Sequence, residues 1–234
     1  MLVPLTREKF EQIIPLIATG AQYAYYWGKV RDFLKRLLIS LVAVVLLWLV
    51  KKFLGEGSAP LILLLQVIGG LYWLWAPVYW ASMRNTSYRR FKYSGFWRGR
   101  VLDVFITEDL IGEEETVNKR GELVIVENRE RRINLEIGDE TGFTAEVQAP
   151  LRRIHKVITP GQIAELLVLS NQADLSRITK ITDAYIPSHN LWVGEYPYLQ
   201  RDVFTQVSRE LGGKGDQRRP PSRRITRTKG PRRY

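Results

Sequence analysis

Two stretches decide the reading of this chain: LLISLVAVVLLWLVKKFL, Leu37 to Leu54, and APLILLLQVIGGLYWLWAPVYWASM, Ala59 to Met83. The first is unbroken apolar chain as far as Val50, and Lys51 and Lys52 lie where their long stems can snorkel to an interface. At 1.5 Å per residue its helix reaches roughly 27 Å, near the thickness of a bilayer's hydrocarbon core. The second carries no charge and as one helix reaches roughly 36 Å, enough to cross with tilt. Gly55, Gly57 and Pro60 in the link suit a tight reversal. Spans 37–54 and 59–83 therefore predict a transmembrane hairpin.

The cations on either side orient it. Lys29, Arg31, Lys35 and Arg36 precede the first span, and Arg84, Arg89, Arg90, Lys92, Arg98 and Arg100 follow the second with no acid among residues 84–100. The link offers only Lys51 and Lys52 against Glu56. The positive-inside rule puts both flanks on the cytoplasmic side, or the stromal side in a plastid. The basic collar is represented by Arg84, Arg89, Arg90 and Lys92. Tyr23, Tyr25, Tyr26 and Trp27 before the hairpin, and Tyr79, Trp80, Tyr88 and Tyr93 at its far end and beyond, suit headgroup depth. Within the second span, Gln66, Gly69, Gly70, Trp73 and Trp75 are the candidates for packing against a membrane partner. The glycines admit close approach and Gln66 is the one strongly polar side chain there. Contact with a pigment such as chlorophyll or a carotenoid, or with lipid, is the sharper alternative to packing between the two helices.

Around the hairpin the chain divides into five segments: an amphipathic helical segment at 1–36, the hairpin at 37–83, the collar at 84–100, a β-rich region at 101–211 and a basic tail at 212–234. No removable leader is expected, because residues 1–11 carry Glu8 and Glu11 and lack an apolar core. Thr6 can cap a helix in which Phe10, Ile13, Ile14 and Ile17 recur at helical spacing, with Pro15 and Gly20 as possible breaks.

From Val101 the period becomes two. Leu102–Val104–Ile106, Leu123 to Val126, Ile133–Leu135–Ile137 and Phe143–Ala145–Val147 read as short strands. Turn signals separate them at Lys119–Gly121, Asn128–Glu130 and Gly138–Gly142. The spacing predicts a small antiparallel barrel or sandwich-like soluble domain with flanking helices, and with the hairpin an α+β membrane protein. Thr159-Pro160-Gly161 predicts a helix over Gln162–Asn171, followed by a strand over Ile178–Tyr185 and a helix over Leu199–Leu211. The tail holds Arg218, Arg219, Arg223, Arg224, Arg227, Arg232 and Arg233 with almost nothing to bury, so disorder is expected there. It can meet anionic lipid or an acidic protein face. Nucleic acid is disfavoured, because Tyr234 is its only aromatic for base stacking.

No catalytic constellation emerges. Cysteine is absent, which removes thiol chemistry and Cys-based metal sites. His155 and His189 stand alone outside any metal spacing. Neither a G-x-x-x-x-G-K-S/T loop nor a G-x-S-x-G elbow occurs. Gly194 and the Gly212–Gly215 cluster lack the strand-to-helix setting of a phosphate loop. Glu113, Glu114 and Glu115 read as a solvated acidic loop before a cation site.

The segments YSGFWRGRVLDVFITEDLIGEEE, Tyr93 to Glu115, and RGELVIVENRERRINLEIGDETGF, Arg120 to Phe143, resemble a family of two-span thylakoid membrane proteins of cyanobacteria and plastids. Its members are often labelled phosphate ABC transporter permeases, and some look associated with photosystem II assembly. The resemblance implies a thylakoid protein that binds other integral membrane proteins, photosystem II subunits or assembly intermediates among them. It carries over no catalytic residue. The expectation is a non-enzymatic assembly factor or accessory subunit in contact with membrane lipids. The alternatives are a transporter component, and a lipid- or pigment-modifying enzyme using Asp103, Glu108 or His155.

Overall fold

A computed structural model describes residues 1–28, 30–54, 56–117 and 123–216 of the chain. It is an α+β structure. A short strand β1 (Leu2–Pro4) precedes α1 (Arg7–Ile13), α2 (Gly20–Trp27), α3 (Val30–Leu54), α4 (Ala59–Gly70) and α5 (Tyr72–Arg89). Strands β2 (Tyr93–Val117), β3 (Leu123–Gly138), β4 (Thr144–Pro150), β5 (Ile163–Ser170), β6 (Lys180–Ile181), β7 (Ala184–Ile186) and β8 (Leu191–Val193) follow, then α6 (Arg201–Asp216). Residues 1–200 form one compact unit; the other, from Arg201 onward, is described through α6 alone.

The expected helix over Thr6–Arg36 is three helices. Thr6 caps α1 as expected, accepting from the Lys9 amide. Pro15 falls in the break before α2, where its missing N–H costs no helical bond. Thr19 caps α2 through a reciprocal box with Gln22. α3 begins at Val30, seven residues before the expected span, and Asp32 in its first turn suits the helix dipole.

α3 is long and apolar enough to cross a membrane. The second expected span is not one helix. α4 and α5 meet at a 71° bend, so the continuous 59–83 helix is corrected to two pieces joined at Leu71. Gly69 and Gly70, poor helix residues, lie at the break, and its polar groups are largely satisfied. Leu71 N donates to Val67 O, Trp75 Nε1 to Ile68 O, and Trp73 N to the buried Oγ of Ser40 on α3.

The strands form one antiparallel sheet in the order β4-β3-β2-β5-β7-β8, with β1 beside β2 and β6 beside β5. Val101, Ile133, Leu135, Ile137, Val147, Leu166, Val168, Ile186 and Val193 belong to a single buried cluster. The sheet therefore curls around its own core. β4 and β8 both line that core yet do not pair with each other among the described residues, so neither a closed barrel nor a two-sheet sandwich results.

Four expectations about this region are corrected. The sheet starts at Tyr93, so the collar splits between the end of α5 and the start of β2. Asn128–Glu130 is not a turn but the middle of β3, paired with residues 109–112; cross-strand charges there mimic a loop. The acidic run from Glu113 lies in β2, whose bulges fall at Val101/Asp103 and Leu110/Gly112. In place of the helix expected over 162–171, Ile163–Ser170 is strand β5, buried on both faces, and a doubly buried strand reads as a continuous apolar run that periodicity cannot tell from a helix. Pro160 and Gly161 make the turn before it: Gly161 has φ +89 and the Gln162 amide returns to Thr159 O. The expected strand at 178–185 is the short pair β6 and β7, and the expected helix at 199–211 is α6, beginning at Arg201.

Asp139, at the β3–β4 turn, ties this turn to the sheet. It accepts from Trp97 Nε1 at 2.7 Å and pairs with the Met1 ammonium at 3.4 Å. Burial alone would raise its pKa, but bonds from Thr141 and Trp97 and the ammonium charge outweigh it and hold the carboxyl down to about 2. A group depressed below its ordinary value stabilises the fold above that value and loses the effect as pH falls through the folded one. Asp139→Asn should thus be less stable at neutral pH and show a shallower loss of denaturant midpoint between roughly pH 4 and pH 2. Equal slopes in the two proteins would remove this account.

Candidate membrane and partner interface

The surface of the three apolar helices is where the chemistry concentrates. On α3, Leu38, Leu41, Leu46, Trp48, Phe53 and Leu54 are exposed, and on α4 Leu61, Leu63, Leu64 and Val67. α3 has only 6% of its most apolar window buried, whereas a core helix of a water-soluble protein hides its apolar face. On α5 the exposed side carries an edge-to-face chain of rings, Tyr72–Trp75–Tyr79–Trp80, at 5.3, 6.0 and 5.4 Å. Its opposite side buries Ala76, Pro77, Ala81, Asn85 and Tyr88.

The expected partner-packing residues largely turn inward. A Cβ built on Gly69 would lie 3.2 Å from Ala43 Cβ, and one on Gly70 3.2 Å from Val44 Cγ2. The glycines therefore serve the close approach of α3 and α4. Gln66 Nε2 reaches Val44 O at 3.5 Å. Trp73 packs edge-on against Trp27 and Phe33. Trp75 stays exposed, with its indole N–H on Ile68 O.

The collar arginines divide in the same way. Arg89 closes the end of α1, donating to Glu11 O and Ile14 O at 3.0 and 2.8 Å and to Glu11 Oε2 at 2.7 Å. Arg7 returns the favour at the end of α5, donating to Arg89 O and Phe91 O. Such bonds satisfy the orphan carbonyls of helix C-termini. Arg36 of α3 does likewise for α2, through Tyr26 O and Trp27 O. Arg90 and Lys92 are exposed. Arg84 lies among tyrosines: its guanidinium is 4.3 Å from the Tyr196 ring centre and its Nε donates to Tyr198 Oη at 2.7 Å. The tail arginines, Arg218 to Arg233, lie outside the described residues.

Sequence reasoning missed the polar strap beneath the collar. Gln22 and Asn85, both fully buried, exchange amide hydrogen bonds at 3.0 and 2.7 Å. Gln22 Nε2 also donates to Pro197 O and Tyr198 O. The bonds connect α2, α5 and the 196–199 segment. A glutamine three residues after Thr19 was the available signal, since a capping box fixes its side chain.

The candidates elsewhere are engaged within the sheet region. His155 is buried, its Nδ1 accepting from the Arg152 amide, and burial followed by the Arg152 charge lowers its pKa. Both influences favour its neutral form. Asp103 Oδ1 accepts from the Val104 amide, and Glu108 pairs with Arg131 on the surface. Among the described residues no group of three acidic or histidine side chains could hold a metal. The outer part of the β2–β3 ladder, beyond the reach of β4 and β5, exposes Leu110, Ile111, Leu123 and Ile125.

No curated protein and no solved structure matches the chain. Residues 3–219, nearly its whole length, match one family profile, and the chain accordingly belongs to the family of unknown function DUF8619.

Proposed function

We propose that this protein is a non-enzymatic integral membrane assembly factor or accessory subunit, in a thylakoid as the resemblance implies, working on larger membrane complexes such as photosystem II intermediates. The observation that carries the membrane part is the exposed apolar surface of α3 and α4, which water would penalise at about 25 cal/mol per Å². α3 crosses, α4 returns beside it as a limb of roughly 18 Å that is too short to span alone, and the bent α5 completes the return to the headgroups. The register supports that depth. Ser40 of α3 meets Trp73 just past the bend, and Ser40 is only three residues past Leu37, the predicted edge of the first span. α5 then leaves at 71° to α4 with its ring chain outward, as interfacial aromatic helices do. The ladder beyond the sheet core gives a partner protein a place to sit, and its β2 strand carries six acids and no cation over residues 103–117.

The absence of cysteine makes a clean test of topology. Single variants Ser58→Cys and Ser176→Cys in sealed vesicles should react with an impermeant maleimide from opposite faces, Ser176→Cys from the cytoplasmic or stromal face. Labelling of both from one face would refute the hairpin. In mild detergent a tagged chain should migrate on native gels well above its 27.1 kDa, with membrane proteins enriched. A chain that ran alone would refute the partner reading and leave the topology standing.

A further inference from the structure

Arg84 follows directly on the apolar run of α5, one turn beyond Trp80, at the depth assigned above to the headgroups. Its guanidinium faces two aromatic rings, 4.3 Å from the centre of Tyr196 and 5.2 Å from that of Tyr198. It donates to Tyr198 Oη, and the Tyr26 side chain is close enough to help hold its charge. Among the described residues it forms no ion pair, in contrast to Arg89, which has Glu11. The neighbouring Tyr196 is 1% exposed and its hydroxyl has no hydrogen-bond partner. Burial, the largest influence on that phenol, raises its pKa, so it remains a protonated donor. A second cation stands one ring away: Lys180 Nζ lies 4.8 Å over Tyr88, which stacks on Tyr198 at 3.8 Å. Asp183, whose charge is felt at Tyr88, helps hold the segment in place, accepting from the Tyr198 and Leu199 amides at 3.1 and 3.3 Å.

A half-buried guanidinium balanced only by neutral hydroxyls favours an anion, and its remaining N–H groups match the oxygens of a phosphate. The second cation disfavours a headgroup that also carries a positive charge. We propose that Arg84, with Tyr26, Tyr196 and Tyr198, forms a binding site for the phosphate of an anionic membrane lipid. The inference rests on the placement of α5 at the interface. A lipid bound there links the interfacial helix to the segment that closes the sheet unit, and so couples the soluble part to membrane composition.

The test uses the full chain in a mild non-ionic detergent, with thermal unfolding followed against added short-chain phosphatidylglycerol, short-chain phosphatidylcholine or inorganic phosphate. Phosphatidylglycerol should raise the midpoint by several degrees and the other two should not. In Arg84→Gln the half-saturating phosphatidylglycerol concentration should rise about tenfold or more, the worth of one charge-assisted pair. Arg84→Lys should lie between, and Arg90→Gln, which removes an exposed collar charge, should behave as native. Tyr196→Phe keeps the ring and removes the orphan hydroxyl, so it serves if Arg84→Gln does not fold; it should weaken the response by several-fold. An equal response to phosphatidylcholine or to inorganic phosphate would overturn the lipid assignment. An unchanged response in both Arg84→Gln and Tyr196→Phe would overturn the site. Either failure would leave the vesicle-labelling result intact, so the site and the hairpin stand or fall separately.

Discussion

Replacing Gly69 and Gly70 together with leucine should uncouple α4 from α3 and produce the largest loss of folded protein among single-element changes. The bare backbone already brings a hypothetical Cβ to 3.2 Å from Ala43 Cβ and from Val44 Cγ2. A methyl could be absorbed by a shift of a few tenths of an ångström. A leucine needs three further carbons where α3 stands, and overpacking of that kind costs about 1–3 kcal/mol at each site. Under the proposed membrane placement no hydrophobic gain offsets it, because helix association in lipid depends on close van der Waals contact. The bend would suffer as well, because Ser40 Oγ reaches Trp73 N only while the helices stay close. In detergent the double variant should melt well below the native protein, with Gly69→Ala/Gly70→Ala in between, whereas Leu63→Ala on the exposed side of α4 should change little. A native midpoint for the leucine variant would show that the α3–α4 contact does not hold the hairpin together.

That prediction differs from what the residues suggest when read as a string. Two adjacent glycines in an apolar run announce close approach, but not to what. The neighbour can be the other half of the hairpin or a foreign helix, and only the register of α3 against α4 decides. The same limit applies to the collar. Consecutive cations after a span fix an orientation through their sum, yet Arg89 is engaged with Glu11 and two carbonyls while Arg90 is free to face solvent, a distinction that sequence spacing does not encode. The apolar helices and the onset of strand periodicity were legible because each is a local property of composition. The β5 strand was not, since burial on both faces erases the alternation that marks a strand. The long β3 strand was hidden by its surface charges, and the bend at Leu71 by an apolar run that continues through it.

The second large effect should come from the strap between Gln22 and Asn85. Neither residue is charged or aromatic, and neither belongs to a motif beyond the capping box, yet both are fully buried. Replacing Asn85 with leucine keeps much of the volume but removes a donor to Gln22 Oε1 and an acceptor for Gln22 Nε2. Each buried polar group left without its partner costs about 1–3 kcal/mol. Gln22 retains Thr19 N, Pro197 O and Tyr198 O, so the loss should fall toward the lower end. Gln22→Leu should cost more, because it deprives those same groups as well as Asn85, and Thr19 loses half of its cap. Once Gln22 is gone, the amide of Asn85 has nothing left to satisfy across the strap, and its replacement by leucine should then cost little or even help. Unfolding free energies of the two single variants and the double variant should therefore show a coupling of about 0.5–3 kcal/mol, the range for residues in one hydrogen-bonded network. Additivity within about 0.5 kcal/mol, the behaviour of distant sites, would mean that the two amides do not act as a unit. The 196–199 segment beside Arg84 would then have to be held by Asp183 and the tyrosine stack alone.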